Sequence, residues 1–169
     1  MRILAPASAL RSTVEARLPA AATSLFRQQM LPELWDAAVT YGIDPVGMVA
    51  QSGKETGWGA FAGNVLPEFY NPCGLKVRHP DLFPGITNGD RPLAHQLFPN
   101  WRVGAHAHAQ HLVAYTGGDV SELALVVDPR YTLVGPPFVE TWAELGGRWA
   151  PSVTYGQEIE AIMRILAGT

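Results

Sequence analysis

The chain has 169 residues, a length that suits a single domain. Hydrophobic residues make up 47% of it and charged residues 16%, which allows a sizeable core and argues against intrinsic disorder. Lys and Arg number 12 against 15 Asp and Glu, for a net charge of −3, so a nucleic-acid-binding function, which needs a basic surface, is not expected.

Other classes of protein are excluded by what the sequence lacks. It has one cysteine, which leaves no intrachain disulfide framework. No apolar run approaches the roughly 20 residues needed to cross a bilayer, so we expect no membrane insertion. The leading segment MRILAPASAL has a single Arg and a short apolar stretch interrupted by Pro6, which is not the pattern of an export signal. The composition therefore indicates a compact, single-domain protein.

Apolar spacing and helix start and stop signals predict four helices in the first third of the chain, over residues 7–18, 20–30, 32–41 and 45–55. The first rests on an apolar stripe that starts at Leu10 and repeats every fourth residue. The last has the strongest start signal, because Asp44 is suited to cap the helix and Pro45 to occupy its first position. We expect it to close at Gly57.

Residues 60–100 differ in character from this helical first third. They are rich in Pro and Gly, and Asn88-Gly89 near their middle is the strongest short signal for a hairpin turn. Short apolar runs flank the turn over residues 75–77 and 94–98. The segment therefore predicts a small, irregular β lobe.

Helical patterns return in the rest of the chain, over residues 103–115, 119–127, 138–145 and 155–166. In the last of these, Ile159, Met163 and Leu166 recur at core spacing. Neither an internal repeat nor a linker separates the segments. The sequence predicts an α+β fold that is mainly α, a helical domain with one small β lobe.

The segment MVAQSGKETGWG, residues 48–59, is the most informative for chemistry. On a helix, Glu55 shares a face with Gln51 and Ser52, and it lies at the C-terminal end, where the macrodipole disfavours a negative charge. Trp58 follows and offers an apolar wall. A carboxyl group in such surroundings stays protonated near neutral pH and is able to protonate a leaving group. A solvated glutamate at a helix end is the alternative interpretation.

The string AQSGKETGWG and the later NPCGLK, residues 71–76, resemble the glucosaminidases of glycoside hydrolase family 73. That family's pattern is a helix ending in Ala-x-x-Glu-(Ser/Thr)-Gly-Trp-Gly, with Ser52 here at the Ala position, and then an Asn-x-(Phe/Cys)-Gly-(Ile/Leu)-Lys segment. The helix that begins near Trp101 and the segment WAPSVTYGQEIEAIMRIL, residues 149–166, are also similar to the family. The resemblance covers residues 31–166.

The resemblance implies a lysozyme-like fold with a cleft between the helical body and the β lobe. It implies peptidoglycan as substrate, Glu55 as the general acid and Tyr155 as a residue that lines the cleft. Trp58, Asn71 and Gly74 fall where the family builds its sugar groove, so Trp58 and Asn71 are expected to bind substrate. Packing and capping are the alternative roles of Trp58 and Asn71, and Gly74 is expected to serve the backbone.

The second carboxylate is less well defined. Most glycosidases place one opposite the acid, at roughly 5–5.5 Å for retention or 6.5–9.5 Å for inversion. The family tends to place it on the β lobe, where Glu68, Asp81 and Asp90 are the candidates. We select Asp90 as catalytic because it directly follows the Asn88-Gly89 turn, at about the family's spacing. A mere turn-forming role for Asp90 is the alternative, in which case the 2-acetamido group of the substrate assists the reaction.

Three other constellations do not predict a site. His106, His108 and His111 crowd one helix, but only His108 and His111 share a face, so we interpret them as surface and groove-edge histidines and not as metal ligands. Cys73 precedes Gly-Leu, as in cysteine peptidases that cut wall peptides, but it lacks their Asp-Cys-Ser context and is expected to be a packing residue. The Asn88-Gly89-Asp90 turn lacks the ligand spacing of a calcium loop.

The predicted function is hydrolysis of the β-1,4 bond after N-acetylglucosamine in peptidoglycan glycan strands. A lytic transglycosylase or a muramidase that uses the same Glu55 is one alternative, and a non-catalytic wall-binding or phage structural module is another. No metal or organic cofactor is expected, and the glycan strand is the expected partner.

Residues 31–169 are expected to form the catalytic domain, and residues 1–30 a helical extension packed on it. The bacterial cell wall is the expected place of action. Because no export signal is visible, release by phage lysis or export by another route is expected to bring the protein there.

Overall fold

The computed structural model describes residues 1–79, 92–121 and 125–169 of the chain. Its regular structure is helical, with five α-helices: α1 (Arg11–Ala16), α2 (Leu31–Thr40), α3 (Pro45–Thr56), α4 (Trp101–Tyr115) and α5 (Tyr155–Ala167). A π-helical turn over Phe26–Met30 leads directly into α2, and 3₁₀ turns lie at Pro67–Phe69, Pro92–Ala94, Tyr131–Leu133 and Trp142–Leu145. The mainly helical character predicted from the sequence is what the described residues show.

Helix α3 runs through the middle of the domain, with α2 and α5 packed against it. The side chain of Asp44 accepts a hydrogen bond from the Val46 amide, Pro45 occupies the first turn, and Gly57 ends the helix in the left-handed conformation, as predicted. Its residues 45–53 are all buried. The polar face that carries Gln51 therefore lies inside the protein, and not at its surface.

The first thirty residues belong to the same hydrophobic core as α3. Ile3, Val14, Phe26 and Met30 are buried in this core. Ile3 also joins two distant segments, because its amide donates to the Glu140 carbonyl at 2.9 Å and its carbonyl accepts from the Asp44 amide at 2.9 Å. The segment is thus packed on the rest of the domain, while its separation from a catalytic domain at residue 31 stays a prediction.

Two of the predicted N-terminal helices differ from those observed. The helix predicted over 7–18 is confined to Arg11–Ala16, and Leu10, assigned to its apolar stripe, is 75% exposed. The helix predicted over 20–30 is represented by the π-helical turn that continues into α2. Pro32 in the first turn of α2 has no amide to donate backward, so the turn before it departs from regular α-helical pairing.

Two predictions in the second half of the chain are wrong. The described part of the segment 119–127 is not helical, because the side chain of Gln110 binds the Leu125 carbonyl and the Val127 amide, at 2.9 and 2.8 Å, and holds this backbone to α4. The helix predicted over 138–145 is reduced to a 3₁₀ turn that starts after a capping box of Thr141 and Glu144.

The described flanks of the predicted β lobe pair with each other. Lys76 and His95 form an isolated antiparallel bridge, and the Gln96 amide donates to the Leu75 carbonyl at 2.8 Å. The predicted Asn88-Gly89 turn lies outside the described residues. Within the described ranges, no helix combines the length and the apolar character needed to span a bilayer.

Candidate active site

A cleft of about 610 Å³ opens at the C-terminal end of α3. We call α3, together with α4 and α5 that support its end from behind, the helical wall, and the side formed by residues 61–79, 92–98 and 125–151 the loop wall. Glu55 stands at the junction of the two walls, and among the described residues that line the cleft it is the sole carboxylate. Trp149, Lys76 and His95 lie along the loop wall.

Two neighbouring side chains hold the carboxyl group of Glu55. The hydroxyl of Tyr155, at the start of α5, donates a hydrogen bond to Oε1, and the side chain of Trp149 lies close enough to lower the pKa of Glu55 as well. Lys54 contributes a positive charge from the next position, although its Nζ pairs with Glu158 at 2.6 Å. These three groups favour the carboxylate, so the site is built to receive the charge that forms when the proton leaves.

Burial outweighs these three neighbours and raises the pKa of Glu55 above its ordinary value. The residue keeps solvent access through the cleft mouth, yet protein atoms surround its carboxyl group closely enough to displace much of its hydration. The position near the C-terminal end of α3 acts in the same direction, because the helix macrodipole disfavours an anion there. The raised pKa is what a general acid needs, as the sequence predicts.

Behind Glu55, a chain of hydrogen bonds runs into the core along the helical wall. Gln51 Nε2 donates to the Tyr155 hydroxyl at 3.0 Å, and Gln51 Oε1 lies 2.9 Å from His108 Nε2. Because Tyr155 gives its own proton to Glu55, it accepts from Gln51, whose carbonyl oxygen then accepts from His108. This order of donors and acceptors requires the tautomer of His108 that carries its proton on Nε2. The same hydrogen bonds fix the orientation of the Tyr155 hydroxyl and the Gln51 amide.

His108 is fully buried, so its interpretation as a surface histidine is wrong. Its Nδ1 has no hydrogen-bond partner among the described residues, and burial together with the neighbouring His111 lowers its pKa to about 3. His111 is also buried but lines grooves beside the cleft, where its Nδ1 lies 2.7 Å from Asp128 Oδ2. The groove-edge interpretation thus fits His111. No cluster of three or more potential metal ligands occurs within the described ranges.

Trp149 and Phe61 are the aromatic residues among the described ones that line the cleft, whereas Trp58, predicted as its apolar wall, lies elsewhere. Trp58 is not one of the residues that line the cleft. Its backbone has a positive φ of 58°, which turns the indole back onto α3, so that a Cβ on Gly53 would lie 2.5 Å from the ring. The ring also packs edge-on against Phe26, with centroids 5.3 Å apart. The packing alternative is therefore the one observed for Trp58.

Asn71 braces the loop wall from inside. It is fully buried, its Nδ2 donates to the carbonyls of Leu75 and Gln96 at 2.8 and 2.9 Å, and its Oδ1 accepts from the Leu75 amide at 3.0 Å. These bonds use both amide protons on Asn71, and substrate binding by this residue stays a prediction. Gly74 has a positive φ of 70°, in agreement with its expected backbone role.

Cys73 is buried in a small apolar cluster with Leu75, Phe98 and Ala107, as predicted for a packing residue. Burial raises the pKa of its thiol well above the usual range, which leaves it without the thiolate a nucleophile needs. Of the candidates for a second carboxylate, Glu68 is exposed and does not line the cleft, whereas Asp81 and Asp90 lie outside the described residues.

Sequence reasoning missed three contributors to the site: Gln51, His108 and Trp149. Gln51 was placed on the face of Glu55, one helical turn before it, and a buried polar residue at that spacing is a signal for a supporting role. Trp149 lies at the head of the closing segment that resembles family 73. His108 carries no local signal, because its contact with Gln51 joins residues 57 positions apart.

A mainly helical domain that presents a carboxyl group of raised pKa in a cleft has the architecture of a lysozyme-like glycoside hydrolase. A family model described as mannosyl-glycoprotein endo-beta-N-acetylglucosaminidase matches residues 31–167. The chain belongs to this glucosaminidase family, and the resemblance to glycoside hydrolase family 73 is confirmed.

Solved structures agree on the fold. The catalytic domain of the autolysin Auto from Listeria monocytogenes is 18% identical, with a TM-score of 0.52, and the match covers 86% of this chain and 84% of that domain. A peptidoglycan hydrolase from Sphingomonas sp. A1 is 18% identical, with a TM-score of 0.50, over 87% of this chain and 89% of that one. The predicted lysozyme-like, mainly helical fold is confirmed.

A curated relative matches over much of the same region. An uncharacterized protein of Borreliella burgdorferi is 29% identical over 128 residues, which are 76% of this chain. The chain spans 57% of the length of that relative.

Proposed function

We propose that the protein is a peptidoglycan hydrolase that cleaves the β-1,4 bond after N-acetylglucosamine, with Glu55 as the general acid. Membership of the glucosaminidase family supports the type of bond. The similarity in fold to an autolysin and to a peptidoglycan hydrolase supports the substrate, and with it a place of action at the bacterial cell wall. The observation that carries the proposal is the carboxyl group of Glu55, which lies in the cleft with a raised pKa and with Tyr155 and Trp149 beside it.

The proposed reaction begins with Glu55 protonated. Its proton passes to the glycosidic oxygen as the bond between that oxygen and the anomeric carbon breaks, and the leaving sugar departs with a hydroxyl group. The electron pair of the O–H bond stays on Glu55. The resulting carboxylate is stabilised by Tyr155, whose hydroxyl already donates to it, and by the neighbouring Trp149. Water then adds to the oxocarbenium-like carbon, and the proton that it loses passes to the carboxylate of Asp90 or back to that of Glu55, which completes hydrolysis.

Trp149 is placed to contact the sugar rings. It is half-buried in the cleft lining, and its indole is held from behind by His111 and Tyr115, with ring centroids 5.2 and 5.6 Å away. Aromatic faces of this kind bind the apolar faces of sugars while excluding water. We propose that Trp149 takes the stacking role first assigned to Trp58, and that Tyr155 acts on Glu55 through its hydroxyl.

For the second chemical group we propose Asp90, on the sequence argument alone. The alternative is assistance by the 2-acetamido group of the substrate. An Asp90→Asn variant is expected to lose most activity if this carboxylate activates water or stabilises the carbon centre. Glu68→Gln is the matched control, because Glu68 is exposed and outside the cleft. Equal activity of both variants and the wild type would leave the acetamido route as the mechanism.

The test of the function is digestion of purified peptidoglycan, with mass spectrometry of the released fragments. New reducing N-acetylglucosamine ends are expected from the wild type, and none from Glu55→Gln, because glutamine keeps the shape of the side chain but has no proton to give. Circular dichroism checks that the variant is folded.

Other products would reassign the function. Anhydro-muramic ends would identify a lytic transglycosylase, and reducing muramic ends a muramidase. Binding to insoluble wall with no released fragment would identify a non-catalytic module and contradict the role of Glu55.

A further inference from the structure

A second groove continues from the cleft behind Trp149. A cavity of about 270 Å³ shares Cys73, Gly74, Lys76 and Trp149 with the cleft. The same cavity shares Arg130 and Arg148, with His111 and Tyr115, with an outer groove of about 440 Å³. The three spaces therefore adjoin one another along the loop wall, so a chain bound in the cleft lies beside the space that the two arginines line.

The two guanidinium groups in this groove are held in place by the protein. Arg130 Nη1 donates to the Val77 carbonyl at 3.2 Å, and Arg148 Nη2 donates to the Gly135 carbonyl at 2.9 Å. Arg148 also lies over the ring of Tyr115, 5.9 Å from its centroid. A guanidinium has five N–H donors, so most of those on each arginine stay available. Both side chains are half-buried, which makes them part of the groove lining and not free surface groups.

The charge of these arginines is not neutralised by a carboxylate. Within the described part of the chain neither guanidinium takes part in an ion pair. Asp128 is close in sequence and buried, but its Oδ2 pairs with His111 and its Oδ1 accepts from the Arg130 backbone amide at 2.8 Å. Two fixed, unpaired positive charges thus line one groove, which favours an anion there.

We propose that this groove is a subsite for a carboxylate carried by the glycan strand, bound by Arg130 and Arg148. The planar fork of a guanidinium matches the two oxygens of a carboxylate. The proposal rests on the proposed peptidoglycan substrate, whose carboxylates come from two sources: the peptide stem of a muramic acid that carries one, and the lactyl group of a muramic acid that carries none. The groove would select strands by charge, in addition to the sugar recognition in the cleft.

The test measures binding without turnover. Glu55→Gln protein is titrated calorimetrically with three forms of one uncross-linked glycan strand: peptide-bearing, stripped of peptides so that only lactyl carboxylates remain, and peptide-bearing with all carboxylates converted to methylamides. Arg130→Gln and Arg148→Gln are added to that background. Arg102→Gln is the control with the same change of charge, since Arg102 is exposed on α4 away from the groove.

Each groove variant is expected to weaken binding of the peptide-bearing strand about tenfold, the size of one charge-assisted hydrogen-bonded contact, while the control binds like its parent. The methylamide strand is expected to bind all proteins alike. A loss with the peptide-bearing strand alone would place the carboxylate on the peptide stem, and a loss with the stripped strand alone would place it on the lactyl group. Both results support the subsite. Arg130→Lys and Arg148→Lys, which keep the charge, are expected to recover part of the affinity.

Unchanged binding of both the peptide-bearing and the stripped strand by both groove variants would overturn the proposal. So would an equal loss with the methylamide strand, which would indicate a purely structural effect. Because this assay needs no cleavage, a failure of the subsite is distinguished from a failure of the proposed function, which is seen only in the digestion of peptidoglycan.

Discussion

The helical and loop walls of the cleft are stabilised by different kinds of hydrogen bond. In the helical wall, Glu55, Gln51, His108 and Tyr155 project from three packed helices, and their side chains bond to one another. In the loop wall, side chains bond mainly to backbone, as Asn71 does to its neighbours. One wall therefore sets the protonation state of an acid, and the other holds irregular backbone in place.

The two walls also differ in charge. The chain from Glu55 to His108 contains neutral groups behind one titratable acid, since burial keeps His108 uncharged and raises the pKa of Tyr155. The groove along the loop wall carries the fixed cations Arg130 and Arg148. We expect changes in the helical wall to alter the rate of the chemical step and the pH dependence of activity and stability, and changes in the loop wall to alter overall stability or substrate affinity.

The largest expected effect on stability is in the loop wall. Asn71→Ala removes three buried hydrogen bonds to backbone groups, and we expect the free energy of unfolding to fall by about 3 kcal/mol, at about 1 kcal/mol for each bond. Urea denaturation measures this, with Gln29→Ala, at an exposed position, as the control. A loss no greater than that of the control would contradict the bracing role of Asn71.

Tyr155→Phe is the corresponding change in the helical wall. It removes the hydroxyl that stabilises the Glu55 carboxylate, and we expect kcat to fall about 30-fold, equivalent to about 2 kcal/mol for a hydrogen bond to a charged group. Because that bond lowers the pKa of Glu55, its loss should also raise this pKa and move the alkaline limb of the pH–rate profile upward. Tyr131→Phe is the control, since its hydroxyl bonds to Gly118 away from the cleft. A fall in kcat with an unmoved limb would refute the electrostatic part of this account.

A third prediction concerns stability against pH. The pKa of His108 is about 3 in the folded protein and about 6.5 when unfolded, so the unfolded chain binds more protons between these values and stability falls as pH falls. From pH 6.5 to pH 5 this contributes about 1.5 kcal/mol. Because His108 is buried, the His108→Gln variant is expected to lose this dependence of stability on pH. The His79→Gln variant, changed at an exposed position, is expected to keep it. Equal slopes in both variants would mean that His108 is not the group responsible.

The smallest expected effect comes from Lys54. Its charge lowers the pKa of Glu55, so Lys54→Met should raise that pKa and shift the alkaline limb of the pH–rate profile upward by about half a pH unit, the size of a solvent-screened interaction. Arg102→Met, which removes a charge far from the cleft, is expected to leave the limb in place. A downward shift in Lys54→Met would have the wrong sign for this interaction.

The two walls also differ in how far the sequence predicts them. Helices α3 and α5 are predicted to within about two residues because caps and apolar spacing are local signals. Glu55 is predicted because the macrodipole at the C-terminal end of a helix disfavours a negative charge, which the sequence position alone reveals. Residues 125–127 are wrongly predicted as helical because Gln110, far along the chain, holds their backbone. Hydrogen bonds between side chains and backbone groups far apart in the chain leave no periodic pattern in the sequence.

The presence of Trp149 in the cleft lining, where the sequence predicts Trp58, also has a long-range cause. Trp58 is the nearer tryptophan in sequence, but the left-handed backbone at Gly57 and Trp58 directs its indole onto α3 and away from the cleft. Trp149 reaches Glu55 only because the loop wall folds back before α5. Neighbours in space that are distant in sequence thus account for what the motifs alone do not predict.

The most direct test of the central claim, that Glu55 is a general acid, compares two substrates of different leaving group. Glu55→Gln and the wild type are assayed on glycan strands and on the 2,4-dinitrophenyl β-glycoside of the disaccharide N-acetylmuramyl-N-acetylglucosamine, whose leaving group departs without a proton. We predict a loss of about 1,000-fold or more on the strands, within the range of general acid catalysis, and a loss of less than about tenfold on the aryl glycoside. An equal loss on both substrates would contradict the role of Glu55 as a proton donor.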